Sequence, residues 1–530
     1  MKVLSFSPRF SLSGLFVRFG SFSDPKVLGI VFMAGFLVRL VPELLAFPLP
    51  VGFDTVHYAV AMKSGVVWAN WSSFFTSSWL FYALTVPVYG LLQVDPFLLL
   101  KVVAPALYGL NVAGIYFFAR KVLGWDFRMG VFAGVFFALQ LAALRISWDL
   151  LRNTLGMGLL LFALAYVREV DSKRGFELFS VLSLLCVFAH EYAAVTLLVA
   201  VLGLVVWRMF KRQLFSGAKR LLLGVLPALA VFVAGMALRF FPVGYVAETN
   251  VIVVGETVSV KAGGLFFLEN YLATNSSVIS YAGYWDLALN VVLLFTLLFL
   301  PYIFLVVRGF FRNHILNFWT GLLLIGAFGC LLVPFAALAL WYRWMFMLVY
   351  PFTFYAVSGF GRLAGWFSGN CFRFCSWFSS KKAVVMVLLT WVLGVAYLAT
   401  PGLMILANTS LPMPPSVTLY FSTSPTVPYE DERGVVAAMS WLEDNMDWRS
   451  SVILQDVFLF YGQLYLDKDK PIIHVQDDVN LAVQTAFNRG YSSVYFVYWN
   501  QPIGWVGVSV PEGFVSVRDF GRISVYAYEV

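Results

Sequence analysis

A carboxylate, an imidazole and a phenol follow one another just after the first long apolar run of the chain. Residues 52–58 spell Gly-Phe-Asp-Thr-Val-His-Tyr, so His57 and Tyr58 come one helical turn after Asp54. Asp54 suits the N-cap of a helix that begins at Thr55, which is the simpler interpretation. A carboxylate beside an imidazole can also act as a general base or hold a metal ion. The segment therefore predicts a helix cap, a functional site or both.

Two further polar groups stand where apolar runs end. Asp149 and Arg152 occur in Trp-Asp-Leu-Leu-Arg-Asn, and their spacing of three predicts neighbours on one helix face. His190 and Glu191 stand where two short apolar runs abut; a single helix there would bury a charged pair at its centre. A local ion pair and a solvated turn are the structural interpretations, and an outer-surface site is the functional one.

Arg343 lies within Trp-Tyr-Arg-Trp-Met at the start of a late apolar run. An arginine among aromatic side chains can anchor a helix at the membrane interface. Its planar guanidinium can also give two hydrogen bonds to the oxygens of a lipid phosphate. Arg343 is therefore a candidate phosphate-binding residue.

The composition of the chain indicates that these groups are carried by the apolar helices of a membrane protein. Of the 530 residues 61% are hydrophobic and 12% charged, and the mean hydropathy is +0.82. A soluble domain has about 25% charged residues. The net charge of +8 lies in short loops between apolar runs, where it indicates orientation and not nucleic-acid binding.

Apolar runs near 20 residues are long enough to cross a bilayer as helices. About eleven such runs are predicted, at 27–47, 96–119, 129–147, 151–168, 177–190, 192–208, 219–241, 285–308, 314–338, 342–361 and 383–405. Together they predict an α-helical polytopic membrane domain over residues 27–405.

Basic residues mark every second loop and the N-terminal segment 1–26, which places that segment in the cytoplasm. The apolar run 79–92 would reverse this alternation as a span, so it is predicted to be an interfacial helix outside the membrane. The outer loops are then 48–95 and 242–284. Three Asn-x-Ser/Thr sequons also fall outside, at Asn70, Asn275 and Asn408.

The C-terminal tail has a different composition. Segment 406–429 is predicted to be a linker and 430–530 a small extracytoplasmic α/β domain. Its predicted strands are 451–455, 471–475, 492–497, 514–517 and 523–528, and its predicted helices are 433–446 and 477–489.

This layout resembles the GT-C superfamily of polyprenyl-phosphate-dependent glycosyltransferases over the whole chain. In residues the resemblance rests on GFDTVHYA, SWDLLRN, HEYA, WYRWMFMLVYPFTFYA and the interfacial segment before the second span. No WWDYG-like segment of the oligosaccharyltransferases is present, which favours the branch of the O-mannosyl- and aminoarabinose transferases. Some relatives have paired acidic residues in the first loop, where this chain has Asp54 and His57.

The resemblance implies transfer of a sugar from a polyprenyl (dolichyl) phosphate to a protein, lipid or glycan acceptor outside the membrane. Asp54 would be the base and Asp149 a second catalytic residue. The substrate-binding candidates are Tyr58, Arg152, His190, Glu191 and Arg343. A divalent metal ion is a candidate cofactor, with His57 as a candidate ligand. The donor brings its own activated bond, and no nucleotide-binding motif is present, so neither a nucleotide nor nucleic acid is expected.

Two non-enzymatic functions remain open. A multi-pass transporter would place polar residues and broken helices near the midplane, often in repeated halves. Arg39 and Gln140 lie within predicted spans, but the sequence shows no repeat and no midplane acidic pair. A lipid flippase without transferase activity is the other alternative.

Overall fold

The computed structural model describes residues 24–52, 54–64, 79–211, 215–240, 251–254, 268–269, 284–332, 337–338, 341–363, 373–399, 429–475, 478–500 and 509–529. The predicted sequons at Asn70, Asn275 and Asn408 lie outside these residues. So do the N-terminal segment up to residue 23 and most of the predicted linker.

Helices form nearly all of the described chain up to residue 240. A helix satisfies its own backbone hydrogen bonds, which an apolar segment in a bilayer requires. Asp95 shows how local sequence sets a boundary, because its carboxylate accepts hydrogen bonds from the N–H groups of Phe97 and Leu98 at 2.8 and 3.2 Å. The bounds are α1 Asp24–Leu45, α2 Thr55–Ser64, α3 Leu80–Leu92, α4 Pro96–Lys121, α5 Phe127–Ala138, α6 Leu141–Asp149, α7 Leu151–Ala165, α8 Lys173–Ala189, α9 Glu191–Phe210 and α10 Phe215–Phe240.

The later part of the chain alternates helices with short strands before the C-terminal sheet. Up to residue 398 the elements are β1 Val251–Val254, β2 Leu268–Glu269, α11 Tyr284–Phe299, α12 Ile303–Gly309, α13 His314–Leu332, β3 Ala337–Leu338, α14 Trp341–Met347, α15 Val349–Leu363 and α16 Arg373–Leu398. The C-terminal elements are α17 Tyr429–Asn445, β4 Ser450–Gln455, α18 Asp456–Tyr465, β5 Ile472–Val475, α19 Val479–Asn488, β6 Ser493–Trp499, β7 Val515–Phe520 and β8 Ile523–Glu529.

Each predicted apolar run forms helix, but the number of full spans is lower than eleven. Among the described residues, seven helices are long and apolar enough to cross a membrane, or nine if each of two bent pairs is one span. Helices α7 and α8 have only 15 and 17 residues. The run 79–92 forms the short helix α3, separate from the spans, as predicted.

The two bent pairs are α5 with α6, at 61°, and α11 with α12, at 79°. Pro301 lies in the second break, where its missing N–H interrupts the helical hydrogen bonds. Gln140 lies in the first break, and its side-chain amide donates a hydrogen bond of 2.7 Å to the Thr353 hydroxyl. This bond holds the bend against α15 and so fixes the direction of α6.

A six-stranded sheet forms the C-terminal domain, in the order β1-β5-β4-β6-β8-β7. The strands β1, β5, β4 and β6 are parallel, and β8 and β7 continue the sheet antiparallel. All five predicted tail strands are present. The additional helix α18 was not predicted, since its sequence DVFLFYGQLY resembles an apolar strand.

The strand β1 comes from the predicted outer loop 242–284 and not from the tail. Val251 pairs with Ile472 and Val254 with Val475, in parallel register. Four residues from the segment between two membrane helices, Val251–Val254, therefore complete the sheet of the tail.

The sheet domain packs directly on one end of the helical bundle. Val56 and Tyr58 of α2 share a buried apolar cluster with Val435 of α17 and Phe458 of α18. The opposite end carries the basic loops, where Lys121 pairs with Glu169 at 2.6 Å. The domain and Asp54 therefore lie together, away from the basic loops.

Candidate active site

Asp54 lies at the start of α2, directly after the chain has turned away from α1. Gly52 allows this turn, because its φ of 96° lies in the left-handed region that residues with side chains rarely adopt. The Thr55 hydroxyl donates a hydrogen bond of 2.6 Å to the carbonyl of Val51. The Tyr58 N–H donates to the Asp54 carbonyl at 3.3 Å. The helix thus begins at Thr55, as predicted, with Asp54 immediately before it.

The guanidinium of Arg152 lies among the tyrosine rings of α2 and α3. Its central carbon is 5.9 Å from the ring centre of Tyr58 and 6.0 Å from that of Tyr82, within the range of cation–π attraction. Arg152 also donates a side-chain hydrogen bond to Tyr58 and lies within electrostatic reach of Glu191. Residues of α2, α3 and α9 therefore hold this cation of α7 in place.

Asp149 and Arg152 do not lie on one continuous helix, which corrects the expectation from their spacing. Helix α6 ends at Asp149 and α7 begins at Leu151. Leu150 between them has φ −90° and ψ 53°, outside the helical region. A spacing of three residues therefore does not make Asp149 and Arg152 neighbours on one helix face. The side chain of Asp149 lies outside the described part of the structure.

His57 lies between the bundle and the sheet domain. Its ring contacts Phe460 of α18 edge-on, with 4.8 Å between ring centres. Burial, and secondly the positive charge of Arg152, lower the pKa of His57 to about 4. The imidazole is therefore neutral at physiological pH. Its buried Nδ1 atom has no hydrogen-bond partner among the described residues.

His190 joins α8 to α9 and caps the second helix. Its Nδ1 atom accepts a hydrogen bond of 3.2 Å from the N–H of Tyr192. Helix α8 ends at Ala189 and α9 begins at Glu191, so two helices meet here, as the charged pair in the sequence predicted. His190 is buried and packs closely against Gly156 of α7. A Cβ atom added at Gly156 would lie 3.0 Å from the Cβ of His190. The described contacts of His190 are thus those of a helix junction, and Glu191 lies beside Arg152.

Arg343 enters the site from α14. It lies within electrostatic reach of Asp54, Tyr58 and Tyr192. Its Nε atom is buried and has no hydrogen-bond partner among the described side chains. The ring of Trp344, the next residue, packs against Tyr192 at 4.7 Å. An aromatic setting was predicted for Arg343, and the structure shows that it faces the same cluster as Asp54.

The structure thus brings Asp54, Tyr58, Arg152 and Arg343 into one cluster, with His57 and Glu191 at its margin. These residues come from segments separated by almost 300 positions in the sequence. The packing of the helices brings them together. The sequence pattern predicted only that they lie at the same end of the bundle. His190 supports the cluster through the α8–α9 junction.

Sequence reasoning missed three contributors: Tyr82, Tyr192 and Phe460. Tyr82 lies on helix α3, which was predicted to be interfacial. Aromatic residues are common at membrane interfaces, so Tyr82 did not suggest a function. Tyr192 is part of the HEYA motif, and its position two residues after His190 was the best sequence indication that it belongs to the site. Phe460 could not be found from sequence, because it lies in the helix that was not predicted.

The cluster combines the Asp54 carboxylate with two guanidinium groups, and a neutral imidazole and a second carboxylate, Glu191, lie at its margin. A carboxylate can accept a proton from an attacking group. Guanidinium groups in a largely buried setting can stabilise negative charge on a departing phosphate. The arrangement therefore suits transfer chemistry with an anionic leaving group.

The described side chains do not form a metal site of usual composition. In the part of the chain that the structure describes, no group of three or more His, Cys, Asp or Glu residues could hold a metal ion. His57 and Asp54 alone fall short of such a set, so no step below depends on a metal.

The comparisons with known proteins concern the fold. No known family profile matches the sequence, and none of the curated proteins matches it. The apo crystal structure of the Archaeoglobus fulgidus oligosaccharyltransferase is similar with a TM-score of 0.51 at 11% identity, over 91% of this chain and 70% of that chain. The archaeal oligosaccharyltransferase AglB from Archaeoglobus fulgidus, in complex with an inhibitory peptide and a dolichol-phosphate, gives 0.48 at 11% identity, over 88% and 69%.

The first likeness confirms the expected fold: the described residues form a mostly helical bundle with seven to nine candidate membrane spans and a small mixed-sheet domain in the C-terminal region, as in that oligosaccharyltransferase structure. The first of these structures is an oligosaccharyltransferase, whereas the missing WWDYG-like segment favoured a different group of transferases. A shared fold at 11% identity does not specify the activity.

Proposed function

We propose that this protein is a membrane glycosyltransferase that moves a sugar from a polyprenyl phosphate to an acceptor outside the membrane. One observation carries the proposal. Asp54, Arg152 and Arg343 share a cluster around Tyr58, in the fold of a glycosyltransferase and beneath the sheet domain. A base and two phosphate-binding cations are the groups that such a transfer requires.

Asp54 acts as the base. The acceptor hydroxyl or amide gives its proton to the carboxylate while its oxygen or nitrogen bonds to the anomeric carbon of the sugar. The bond between that carbon and the phosphate oxygen breaks, and its electron pair leaves with the polyprenyl phosphate. The donor supplies the activated bond, so the transfer consumes no nucleotide.

Arg343 binds the phosphate of the donor. Its guanidinium lies within electrostatic reach of Asp54, and its buried Nε donates to no acceptor among the described residues. Arg152 is the second phosphate-binding cation, held by the Tyr58 hydrogen bond and the two tyrosine rings. Glu191 orients Arg152, and His190 sets the start of the helix that carries Glu191. Asp149 is the remaining catalytic candidate, at the end of α6.

The site faces the outside of the cell, and the N-terminus lies in the cytoplasm. Support comes from the alternation of basic loops and from their position at the end opposite the sheet domain. Trp448→Cys in the sheet domain and Lys173→Cys near the basic loops test the orientation, with Cys371 and Cys375 replaced by Ser. A membrane-impermeant maleimide should label only Trp448→Cys in intact cells, and the reverse pattern would contradict the orientation.

The activity test uses purified protein with dolichyl- and undecaprenyl-phosphate sugars, and it measures released lipid phosphate. Asp54→Asn should lower the rate by about 10²–10⁴-fold, the usual contribution of a general base. Asp126→Asn is the matched control. Asp126 caps α5 through the Met129 N–H at 2.8 Å, and Asn caps helices equally well. Full activity of Asp54→Asn would remove Asp54 from the base role.

A multi-pass transporter and a lipid flippase remain the alternative functions. Both would move the lipid-linked sugar across a membrane without cleaving it. Release of lipid phosphate by the wild-type protein therefore separates a transferase from either alternative.

A further inference from the structure

The helix α18 of the sheet domain lies along α2, the helix that follows Asp54. The Lys63 ammonium donates a hydrogen bond of 2.7 Å to the carbonyl of Leu464. Nearer the start of α2, the rings of His57 and Phe460 meet at 4.8 Å. The two helices therefore touch near both ends of α2.

A second set of contacts keeps α18 in this position. The Tyr461 hydroxyl donates a hydrogen bond of 2.8 Å to the Glu432 carboxyl, and both groups are buried. Glu432 lies within electrostatic reach of Lys101 on α4. Tyr465 lies within reach of Asp95, just before α4. Phe460 is thus held against His57 by neighbours on its own helix.

His57 and Phe460 meet where α2, the helix that directly follows Asp54, packs against the sheet domain, and we call these two rings the wall. The two guanidinium groups reach the cluster from membrane helices instead, Arg152 from α7 and Arg343 from α14. A lipid-linked donor approaches from the bilayer, whereas a water-soluble acceptor must approach past the sheet domain. The position of the wall therefore assigns it to the acceptor.

We propose that Phe460 and His57 form the acceptor-binding wall of the site, and that Phe460 is a specificity-determining residue supplied by the sheet domain. The proposal rests on the proposed transferase function. It names the acceptor class as a hydroxyl compound with a C–H face. The C–H face packs on the Phe460 ring, and the buried Nδ1 of His57 takes a hydrogen bond with the acceptor. The reacting hydroxyl then lies beside Asp54, which immediately precedes α2 and is three residues before His57.

The test separates transfer to an acceptor from transfer to water. A polyprenyl-phosphate sugar is incubated with a methyl glycoside as the hydroxyl probe, and in parallel with water alone. Phe460→Ala should raise the KM for the methyl glycoside about two- to tenfold, the range for loss of one aromatic contact. The acceptor KM should rise more than the donor KM, hydrolysis should not fall in parallel with transfer, and Phe460→Tyr, which keeps the ring, should have an acceptor KM close to that of the wild type.

Phe487→Ala is the matched control. Phe487 packs against Tyr528 at 5.6 Å on the other face of the sheet, so its removal should leave the acceptor KM unchanged. His57→Gln, which keeps hydrogen-bonding groups, should retain more acceptor transfer than His57→Leu. If Phe460→Ala does not fold, Phe460→Leu keeps the apolar volume without the ring and should show the same rise in KM.

The outcomes are distinguishable. Wild-type protein that releases no lipid phosphate from any donor would overturn the transferase function and this inference together. Active wild-type protein with an unchanged acceptor KM in Phe460→Ala and Phe460→Leu would overturn the acceptor wall alone. A parallel fall of hydrolysis and transfer would also overturn it, because the ring would then serve the whole fold of the site.

Discussion

Two clusters of charged side chains lie near the same end of the bundle, one buried and one half-buried, and they are built differently. In the first, the Glu43 carboxylate lies 2.8 Å from Arg39 and 3.2 Å from Lys101. Lys101 also donates a hydrogen bond of 3.0 Å to the Glu43 carbonyl. We call these three residues the scaffold triad. Its carboxylate is enclosed by two cations in direct contact.

The second cluster is the site around Asp54. Arg152 lies against two tyrosine rings and donates a hydrogen bond to Tyr58, and Arg343 is within electrostatic reach of Asp54. The buried Nε atoms of Arg152 and Arg343 have no hydrogen-bond partner among the described groups, and in the scaffold triad the same holds for Nη2 of Arg39. Such atoms cost roughly 1–3 kcal/mol each when left unsatisfied, so a ligand that pairs with them gains that free energy.

The contrast separates two uses of the same residue types. A charge paired at contact distance inside the protein stabilises the fold and has little attraction left for a ligand. A charge held by rings and distant partners keeps its attraction for an incoming anion. The triad also supports the site, because Arg39 donates a hydrogen bond of 3.1 Å to the Ser147 hydroxyl, two residues before Asp149.

The largest expected effect comes from opening the scaffold triad. Glu43→Gln keeps the size of the side chain but leaves two buried cations without their carboxylate. We expect the free energy of unfolding to fall by about 3–5 kcal/mol, as for other buried pairs broken on one side. Thermal unfolding in detergent measures the change.

The exposed pair Lys121–Glu169 at the opposite end of the bundle is the matched control. Its distance is 2.6 Å, but both side chains are about 40% exposed. Glu169→Gln should therefore cost at most about 1 kcal/mol. Equal losses in the two variants would show that the triad is no more important for the fold than a surface ion pair.

The next largest effect concerns the site and should leave the fold intact. Arg343→Gln removes the proposed phosphate-binding cation, and the rate of lipid-phosphate release should fall by about 10²–10³-fold. Arg343→Lys keeps the charge without the planar fork and should retain part of the rate. The melting temperature should stay close to that of the wild type.

Arg362→Gln is the control for charge removal late in the bundle. Arg362 ends α15 on the exposed side, where it donates a hydrogen bond of 2.9 Å to the Arg308 carbonyl. Its replacement should leave the release of lipid phosphate unchanged. A loss of stability in Arg343→Gln without a loss of rate per folded molecule would place Arg343 in the scaffold instead.

The contrast between the clusters also explains what the sequence could predict. Apolar runs and basic loops predicted the helices, because both follow directly from the bilayer. The strands of the tail were predicted from their alternation. By length and composition, seven to nine of the described helices or helix pairs qualify as spans, against about eleven predicted, because α7 and α8 are short and two other runs are bent.

Contacts between segments that are distant in the chain could not be predicted from the sequence. The strand β1 joins the sheet through its pairing with β5. No local pattern in residues 251–254 predicts this pairing. Asp149 and Arg152 seemed paired by spacing, yet Leu150 breaks the helix between them. Glu43 and Asp54 are both acidic residues near the end of the first span. Only their partners distinguish the scaffold triad from the site.

The last prediction tests whether Glu432 extends the scaffold triad into the sheet domain. Burial raises the pKa of Glu432 from 4.5 to about 8, although the Tyr461 hydrogen bond and the charge of Lys101 act in the opposite direction. The folded protein therefore holds one more proton than the unfolded chain between those pH values. Stability should fall as the pH rises through this window, by at most about 1.4 kcal/mol per pH unit.

Glu432→Gln tests this expectation, because the amide oxygen can still accept the Tyr461 hydrogen bond but the group does not titrate. Relative to the wild type, the variant should lose less free energy of unfolding between pH 6 and pH 9. Glu443→Gln on the same helix is the control, since Glu443 accepts its hydrogen bond from the Asp467 N–H near the surface. That control should follow the wild type. If Glu432→Gln also follows it, the carboxyl is ionised and paired with Lys101, and the triad is a cluster of four charges that includes the sheet domain.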